Sequence, residues 1–458
     1  MAKYLNVLVA SCRLFALWAF LMPQVAISAP TLDEFAQDRA MSLVNSAKLQ
    51  AAKMEDGDIT CRKKPTNVEK IPGFAGEAQT SGGQGGVVLE VNSDQDNEPR
   101  TRSLPGTLRE AVEYGYKHRT ATRIVFSPNL KGHMIRLQSA LRPSDNTTID
   151  GVCTGVTLIA DANVALIIVA NRTNIIISGI TLRKYAYTGE NKGRADGKDF
   201  RDCITVSGSV DRLAFLYNDF EACGDGELDI TSGVGKPMPD AGGRMTIAFN
   251  RFGHHDKAML MGTDGCGNAT PGPVDCPDYA NGSSLPLAPL YKVTLFANFF
   301  EWAGQRQPRV FGRVLLDATN NVFAFTPFDR GNGTSGSTYA IFASNGALVS
   351  AQNNLFVGVP FSGDPAEGLT TTTSPGVSIS LHESQAAIRS QGNLAFGHEI
   401  ISENRPELVP QISYVDPAAL QRIDFRLLGA RDALACLITR IGPNGKLEWP
   451  SSCKRVAR

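Results

Sequence analysis

The sequence predicts an all-β fold, a right-handed parallel β-helix with an N-terminal capping helix and long loops on one face. Three observations carry that expectation. First, Asn-x-Phe closes one short apolar run after another: Asn218-Asp219-Phe220, Asn250-Arg251-Phe252, Asn298-Phe299-Phe300, Asn321-Val322-Phe323 and Asn354-Leu355-Phe356, with a looser copy at Asn393-Leu394-Ala395-Phe396. The intervals run from 23 to 48 residues, which suits a solenoid whose turns carry loops of different length. Second, the runs between these markers are short and β-rich, such as 174–182 and 244–249, with no long helical period. Third, Gly, Asn and Asp punctuate them. An Asn recurring at one turn position can bond amide to amide with its copies.

Along the chain, residues 1–28 read as a secretory signal peptide. Lys3 and Arg13 precede the apolar run 14–22, and Ala26-Ile27-Ser28 ends at a cleavable small-residue site. Arg13 interrupts the roughly 20 apolar residues that a membrane anchor needs. A helical segment and linker are expected over 29–72, opened by the capping-box spacing of Thr31-Leu32-Asp33-Glu34. The solenoid is expected over 73–400. It starts with glycines at 82, 83, 85 and 86 that precede a strand at 87–91, so they read as a tight turn and not a phosphate loop. Thr107-Leu108-Arg109-Glu110 is a second capping box, opening a helix to about Tyr116 that covers the first coil. Inserts at 185–201, 231–243, 263–290 and 363–376 read as functional loops. Residues 401–458 form a tail expected to pack on the solenoid.

Lys+Arg and Asp+Glu both number 45, so no basic excess points to nucleic acid and no acidic excess to disorder. Without Cys12, eight cysteines remain, an even count that fits disulfides in an exported chain. Local pairing would join Cys203–Cys223, Cys266–Cys276 and Cys436–Cys453, leaving Cys61 with Cys153. No Cys-x-x-Cys pair supports a zinc site. Five Asn-x-Ser/Thr sites, at Asn146, Asn171, Asn268, Asn281 and Asn332, are glycosylation acceptors in a host with the machinery.

Charged residues punctuate the repeat. Asp202 lies 23 residues before Asp225, one plausible turn, and Asp225-Gly226-Glu227-Leu228-Asp229 adds a second carboxylate around a bend. Matching positions on neighbouring coils stand about 4.8 Å apart, close enough for oxygens to share a cation with Ca–O bonds of about 2.3–2.6 Å. Ordinary turn aspartates are the plain alternative. Lys257 reads as lying two turns past Asn218, directly before a strand at 258–261, and Arg306 follows the Asn298 turn in the same way. Bound calcium with Lys257 and Arg306 beside it suits a polyanionic sugar.

From about Gly73 to Phe356 the chain resembles the pectate lyase family of secreted parallel β-helices. The matches run in order: residues 82–86, 107–112 and 146–151, then Asp202-Cys203-Ile204, 225–230, the lysine motif 255–262, and Arg306-Gln307-Pro308. The resemblance implies calcium-dependent β-elimination on α-1,4-galacturonan, giving 4,5-unsaturated oligogalacturonates. It implies Ca2+ held by Asp202, Asp225 and Asp229, with Lys257 at the substrate carboxylate and Arg306 as the base. Its partner would be polygalacturonate or pectin, met by an exported monomer (extracellular, or periplasmic in a bacterium), with neither nucleic acid nor membrane. Two positions depart from the pattern. Ala214-Phe215-Leu216-Tyr217 stands where the family has Trp-Ile-Asp-His, and Phe311 where it has a second arginine, with Arg309 and Arg313 nearby as substrate-binding replacements. A pectin lyase acting on methyl-esterified polymer and a non-catalytic polysaccharide-binding β-helix are the rival readings. A polygalacturonase would need clustered acid and base carboxylates, and no Asn-Thr-Asp, Asp-Asp or Gly-His-Gly segment occurs.

Overall fold

The structure is a computed structural model that describes Asn45 and residues 71–97, 104–152, 154–161, 164–184, 201–232, 243–263, 289–324, 339–344, 346–357, 379–381, 386–395, 398–400 and 406–412. The expected signal peptide, most of the 29–72 segment, most of the four inserts, and all cysteines except Cys203 and Cys223 lie outside them.

Three sheets stack coil upon coil. Sheet I runs through Val87–Val91, Thr122–Phe126, Thr147–Asp150, Thr173–Ser178, Asp211–Leu216, Gly243–Ala248, Tyr291–Phe296, Val314–Thr319, Leu348–Gln352 and Ala387–Gln391. Sheet II runs through Met134–Leu137, Thr157–Ala160, Thr181–Arg183, Asp219–Glu221, Arg251–Lys257, Phe299–Gln305, Val322–Ala324, Leu355–Val357 and Asn393–Ala395, and closes with the antiparallel strand His398–Ile400. Sheet III holds Ile167–Ala170, Ile204–Ser207, Leu228–Ser232, Leu260–Thr263, Arg309–Phe311, Ile341–Ser344 and Ile379–Leu381. From Asp211 onward successive strands fall in sheets I, II and III in turn, and each pairs in parallel with its copy one coil on. The fold is the expected parallel β-helix.

The repeat forms the turn between sheets I and II. Asn250 Nδ2 donates to Asn298 Oδ1 at 3.0 Å, Asn298 to Asn321, Asn321 to Asn354 and Asn354 to Asn393, and each amide also reaches a backbone carbonyl. Asn218 joins through its backbone N–H, which donates to Asn250 Oδ1 at 2.8 Å. Buried amides are costly unless satisfied, and each amide here is satisfied by its neighbours. Two residues on, the Phe220, Phe252, Phe300, Phe323 and Phe356 rings stack at 4.7–5.0 Å. Ala395 pairs with Phe356 on the next coil, where Asn393 still caps the ladder. The turn needs a left-handed residue just before each Asn. Tyr217, Phe249, Ala297, Asn320 and Asn353 accept φ of +49 to +60°, with Gly392 taking the same place before Asn393. Gly179, at φ +69°, splits the apolar run 174–182 into strands of two different sheets.

The glycine-rich start does more than turn. A short helix α1, Gly73–Glu77, lies on the outer face of sheet I, where Phe74 and Ala75 N–H donate to Thr294 and Thr246 Oγ1. Farther on, Gly82 and Gly83 N–H reach Asn174 Oδ1 and Thr148 Oγ1. A Cβ on Gly83 would sit 2.0 Å from the Thr122 carbonyl, so glycine is what lets this strap lie flat. The second helix, α2, spans Leu108–His118, running slightly past the expected end at Tyr116. Thr107 caps it through the Glu110 N–H, and Glu110 Oε2 answers at Gly106 N. Its Leu108, Ala111 and Val112 join the main core. At the other end Val409 packs with Phe74, Leu315, Leu348 and Ala387 outside sheet I. No described helix is long and apolar enough to cross a membrane.

Candidate active site

The opposite turn, from sheet II to sheet III, gathers the charged residues. Here the strands of sheet II leave the regular ladder through a left-handed residue on three successive coils: Ala222 (φ +47°), His254 (+54°) and Trp302 (+55°). Such bulges re-aim the chain beyond them. Shortly after each bend the chain presents Asp225, Lys257 and Arg306 respectively. His254 and Trp302 lie near-parallel, their centroids 6.0 Å apart.

Two sequence expectations need correction. Lys257 lies one coil past the acidic turn, not two turns past Asn218, because Gly226 bridges directly to Lys257 and Phe220 pairs with Phe252 on adjacent coils. It ends the sheet II strand Arg251–Lys257, and the next strand begins only at Leu260. The strand continues past the left-handed residue 254 as far as Lys257, which pairs with Gln305. Arg306 therefore stands one residue beyond that register. Asp202 is one coil from Asp225, as expected, but it faces Gly226, whose N–H donates to Asp202 Oδ1 at 2.9 Å. The Cys203–Cys223 disulfide staples these two coils beside the site.

The carboxylates differ in surroundings. Asp225 is the most open of the three and takes the Lys257 ammonium at 2.6 Å. Burial works against its ionisation, but the Lys257 charge and hydrogen bond, with Arg306, outweigh that and hold its carboxyl below the ordinary value. Asp202 is 9% exposed, and burial pushes it up to about 6, against the hydrogen bonds from Thr205 and Gly226. Asp229, 6% exposed, is pushed well above its usual range by burial and then by the Asp202 charge, with Arg306 opposing. Its Oδ1 accepts from Leu260 N–H at 2.9 Å. So Asp202 and Asp229 form a buried acidic pair, an arrangement of the kind that clusters at functional sites.

His255 closes the floor. Its Nε2 meets the Asp225 carbonyl, which only accepts, so Nε2 carries the proton. Burial holds its pKa below the ordinary histidine value, keeping the ring neutral. Glu227, wholly buried, accepts from Gly253 N–H at 3.0 Å. Both lie inside motifs read from the sequence, 255–262 and 225–230, but their inward-facing roles do not show there, because a polar side chain turned inward from a turn looks like any other.

On the outer face of sheet III, Asp229, Leu260, Arg309 and Phe342 occupy one column. Arg309 is therefore two coils, about 10 Å, from Asp229, and its guanidinium lies over the Phe342 ring at 5.4 Å. Arg313 falls at the far end of the strand, where its carbonyl accepts from Leu290 and Tyr291 as the chain turns to sheet I. Phe311 lies over Gly262, where any Cβ would be 2.1 Å from the ring. The structure brings Asp202, Asp225, Asp229, Lys257 and Arg306 to one turn edge, with Arg309 on the adjoining sheet. It sets Arg313 apart.

Fold and site together define a parallel β-helix with acidic and cationic side chains gathered at one edge. The resemblance read in the motifs is borne out by relatives. The chain is 29% identical over 284 residues to Probable pectate lyase 13 of Arabidopsis thaliana, and 28% identical over 299 residues to Pectate lyase 1 of Hesperocyparis arizonica. These matches take in 60% and 62% of this chain and 45% and 66% of the relatives, so it covers less than two thirds of either. No family model matches. The crystal structure of jun a 1, the major allergen from cedar pollen, shares the fold with a TM-score of 0.53 at 21% identity, over 82% of this chain and 93% of that one.

Proposed function

We propose that the protein is a calcium-dependent pectate lyase that cleaves α-1,4-galacturonan by β-elimination. The observation that carries the reading is the Asp225–Lys257 ion pair set against the buried Asp202 and Asp229, with Arg306 acting electrostatically on both Asp225 and Asp229.

Calcium fits the chemistry of this edge. Among the described residues no three His, Cys, Asp or Glu side chains are already grouped as a metal cage. The donors are nevertheless all carboxylate oxygens, the kind a hard cation takes, and two of them are buried and mutually repelling. Gly226 leaves open the space beside Asp229, since a Cβ there would lie 2.2 Å from Oδ1. Asp202, Asp225 and Asp229 would hold the ion, with Asp225 giving up its bond to Lys257. Bound there, calcium supplies Lewis-acid stabilisation of charge that develops on the substrate carboxylate.

The chain's own groups do the rest. Lys257, released from Asp225, places its ammonium at the C6 carboxylate and favours the enolate-like transition state. Arg306, as the neutral guanidine, takes the C5 proton and becomes guanidinium. The C5–H electron pair becomes the C4–C5 double bond, the C4–O bond breaks, and the leaving oxygen takes a proton from water. Guanidinium has a pKa above about 12, so the rate should climb into alkaline pH. Arg309, in the Asp229 column, is the better placed of the two candidate substrate-binding arginines.

The protein would be exported after removal of residues 1–28 and act as a monomer through its 73–400 solenoid. A second reading, cleavage of methyl-esterified pectin, is favoured by Phe311, an apolar ring where the resemblance expects an arginine. The test follows ultraviolet absorbance of the new double bond on polygalacturonate, with calcium and then with chelator. We expect absorbance that the chelator abolishes. A calcium-independent rise, faster on methylated pectin, would favour the second reading. Binding without any absorbance change would overturn both.

A further inference from the structure

We infer that Glu227 is a positioning residue that sets the acidic turn 225–229 in register with the strand carrying Lys257. The inference rests on the lyase reading only for its kinetic consequences.

Three facts carry it. Gly253 keeps its register with Glu221 and Glu301 just before the left-handed residue 254, and its N–H donates to Glu227 Oε1 at 3.0 Å. The Glu227 backbone is tied to both flanking coils. Its N–H donates to the Ala258 carbonyl at 2.9 Å, and its own carbonyl accepts from Ile204 at 3.1 Å. Glu227 is also 0% exposed, with Oε2 buried and given no hydrogen-bond partner. Burying a carboxyl in this way is costly, and a leucine would fill the volume without the cost. What the carboxyl supplies is an acceptor for the Gly253 N–H, one residue before the bend that leads to Lys257. The side chain thus joins the residue midway between Asp225 and Asp229 to the bend that directs Lys257. Buried partners of this kind, one step behind the groups that touch ligand, commonly change metal affinity or activity by about 10–100-fold.

The role is that of an acceptor, so the two substitutions separate it from other roles. Glu227→Gln keeps a carbonyl oxygen for Gly253 N–H. Glu227→Leu keeps the bulk and removes the acceptor. Three quantities would be measured well below each variant's melting temperature: calcium affinity by calorimetry, kcat and KM on polygalacturonate, and hydrogen exchange of the Gly253 amide. We expect Glu227→Gln to stay within about 3-fold of the parent in all three. Glu227→Leu should lose about 10-fold or more in calcium affinity and in kcat, with KM little changed and Gly253 exchange accelerated. A Glu227→Leu variant that melts earlier but keeps parental calcium affinity and kcat would reduce Glu227 to a structural residue and overturn the proposal. Should Glu227→Leu fail to fold, Glu227→Gln decides alone. A 10-fold loss in calcium affinity there means the charge matters, as a partner for Arg251, and the acceptor role is wrong. If the parent shows no turnover on any galacturonan, the lyase reading fails. Gly253 exchange and calcium affinity would still decide whether Glu227 positions the turn.

Discussion

Two edges of the same solenoid meet opposite fates. At the turn between sheets I and II, asparagine recurs on six successive coils, from Asn218 to Asn393, and the side-chain amides are satisfied by their neighbours. At the turn between sheets II and III, the backbone also repeats a left-handed bend, yet the side chains differ from coil to coil: aspartate, lysine, arginine. There two carboxylates are buried beside each other, and a third holds the lysine. The coil repeat places residues about 4.8 Å apart in either case. Identical polar residues at that spacing satisfy one another, while unlike charges make a site whose strain a ligand can relieve.

The sharpest test of that contrast is Arg306→Ala. If the second edge exists for chemistry, removing the proton acceptor should lower kcat by about 10³-fold, about 4 kcal/mol in the barrier. The melting temperature should barely move, because alanine keeps the backbone carbonyl that accepts from Met259 N–H. The ultraviolet assay and a thermal scan on one preparation check both halves. A large fall in melting temperature with little kinetic change would mean that this edge is structural too.

The reverse test is Asn298→Ala. Asn298 Oδ1 accepts from the Asn250 backbone and amide, and its Nδ2 donates to Asn321 and to the Ile247 carbonyl. Truncation leaves several buried groups unpaired, and about 3 kcal/mol of stability should be lost. Activity per folded molecule should persist, since the site sits at the other turn. Denaturant unfolding, with kcat measured at low denaturant, reads both. A proportionate loss of kcat would show that the two edges are coupled through the coil.

The same difference decides how much of the molecule is legible in its sequence. A ladder and ring stack demand particular residue types, so Asn-x-Phe announces both the fold and the succession of coils. Asp202, Asp225, Asp229, Lys257 and Arg306 are legible as residues, but their registers are not. The bend that sets those registers is filled by Ala222, His254 and Trp302, which share no side chain, only a φ angle. That is why sequence spacing puts Lys257 one coil too far and leaves Glu227 inconspicuous. The strap over sheet I reads only as a turn, since its acceptors, Thr148, Asn174, Thr246 and Thr294, are distant in sequence.

The smallest expected effect lies on sheet II, between the edges. Arg251 stands 3.1 Å from Asp219, 3.2 Å from Glu221 and 3.9 Å from Glu301, with Arg183 also on Glu221. Burial pushes Asp219 up to about 6, with Arg251 opposing and Glu221 and Glu301 adding to the rise. Burial also works against the Arg251 charge, but the same three acids outweigh it and hold the guanidinium firmly charged. The sign of the pH effect comes from linkage. The folded protein holds the Asp219 proton more tightly than the unfolded chain, whose value is about 4, so stability falls as pH rises from about 4 to about 6 and stays lower above that. Asp219 keeps 22% of its side-chain surface in water, which trims the loss to about 1–2 kcal/mol. Asp219→Asn should remove that slope. Measured by denaturant melts at several pH values, the variant should gain on the parent between pH 4 and 6 and hold a constant lead at pH 7. Parallel curves across that range would mean that Arg251 satisfies Asp219 in full, and that the crowding of charge is confined to the site edge.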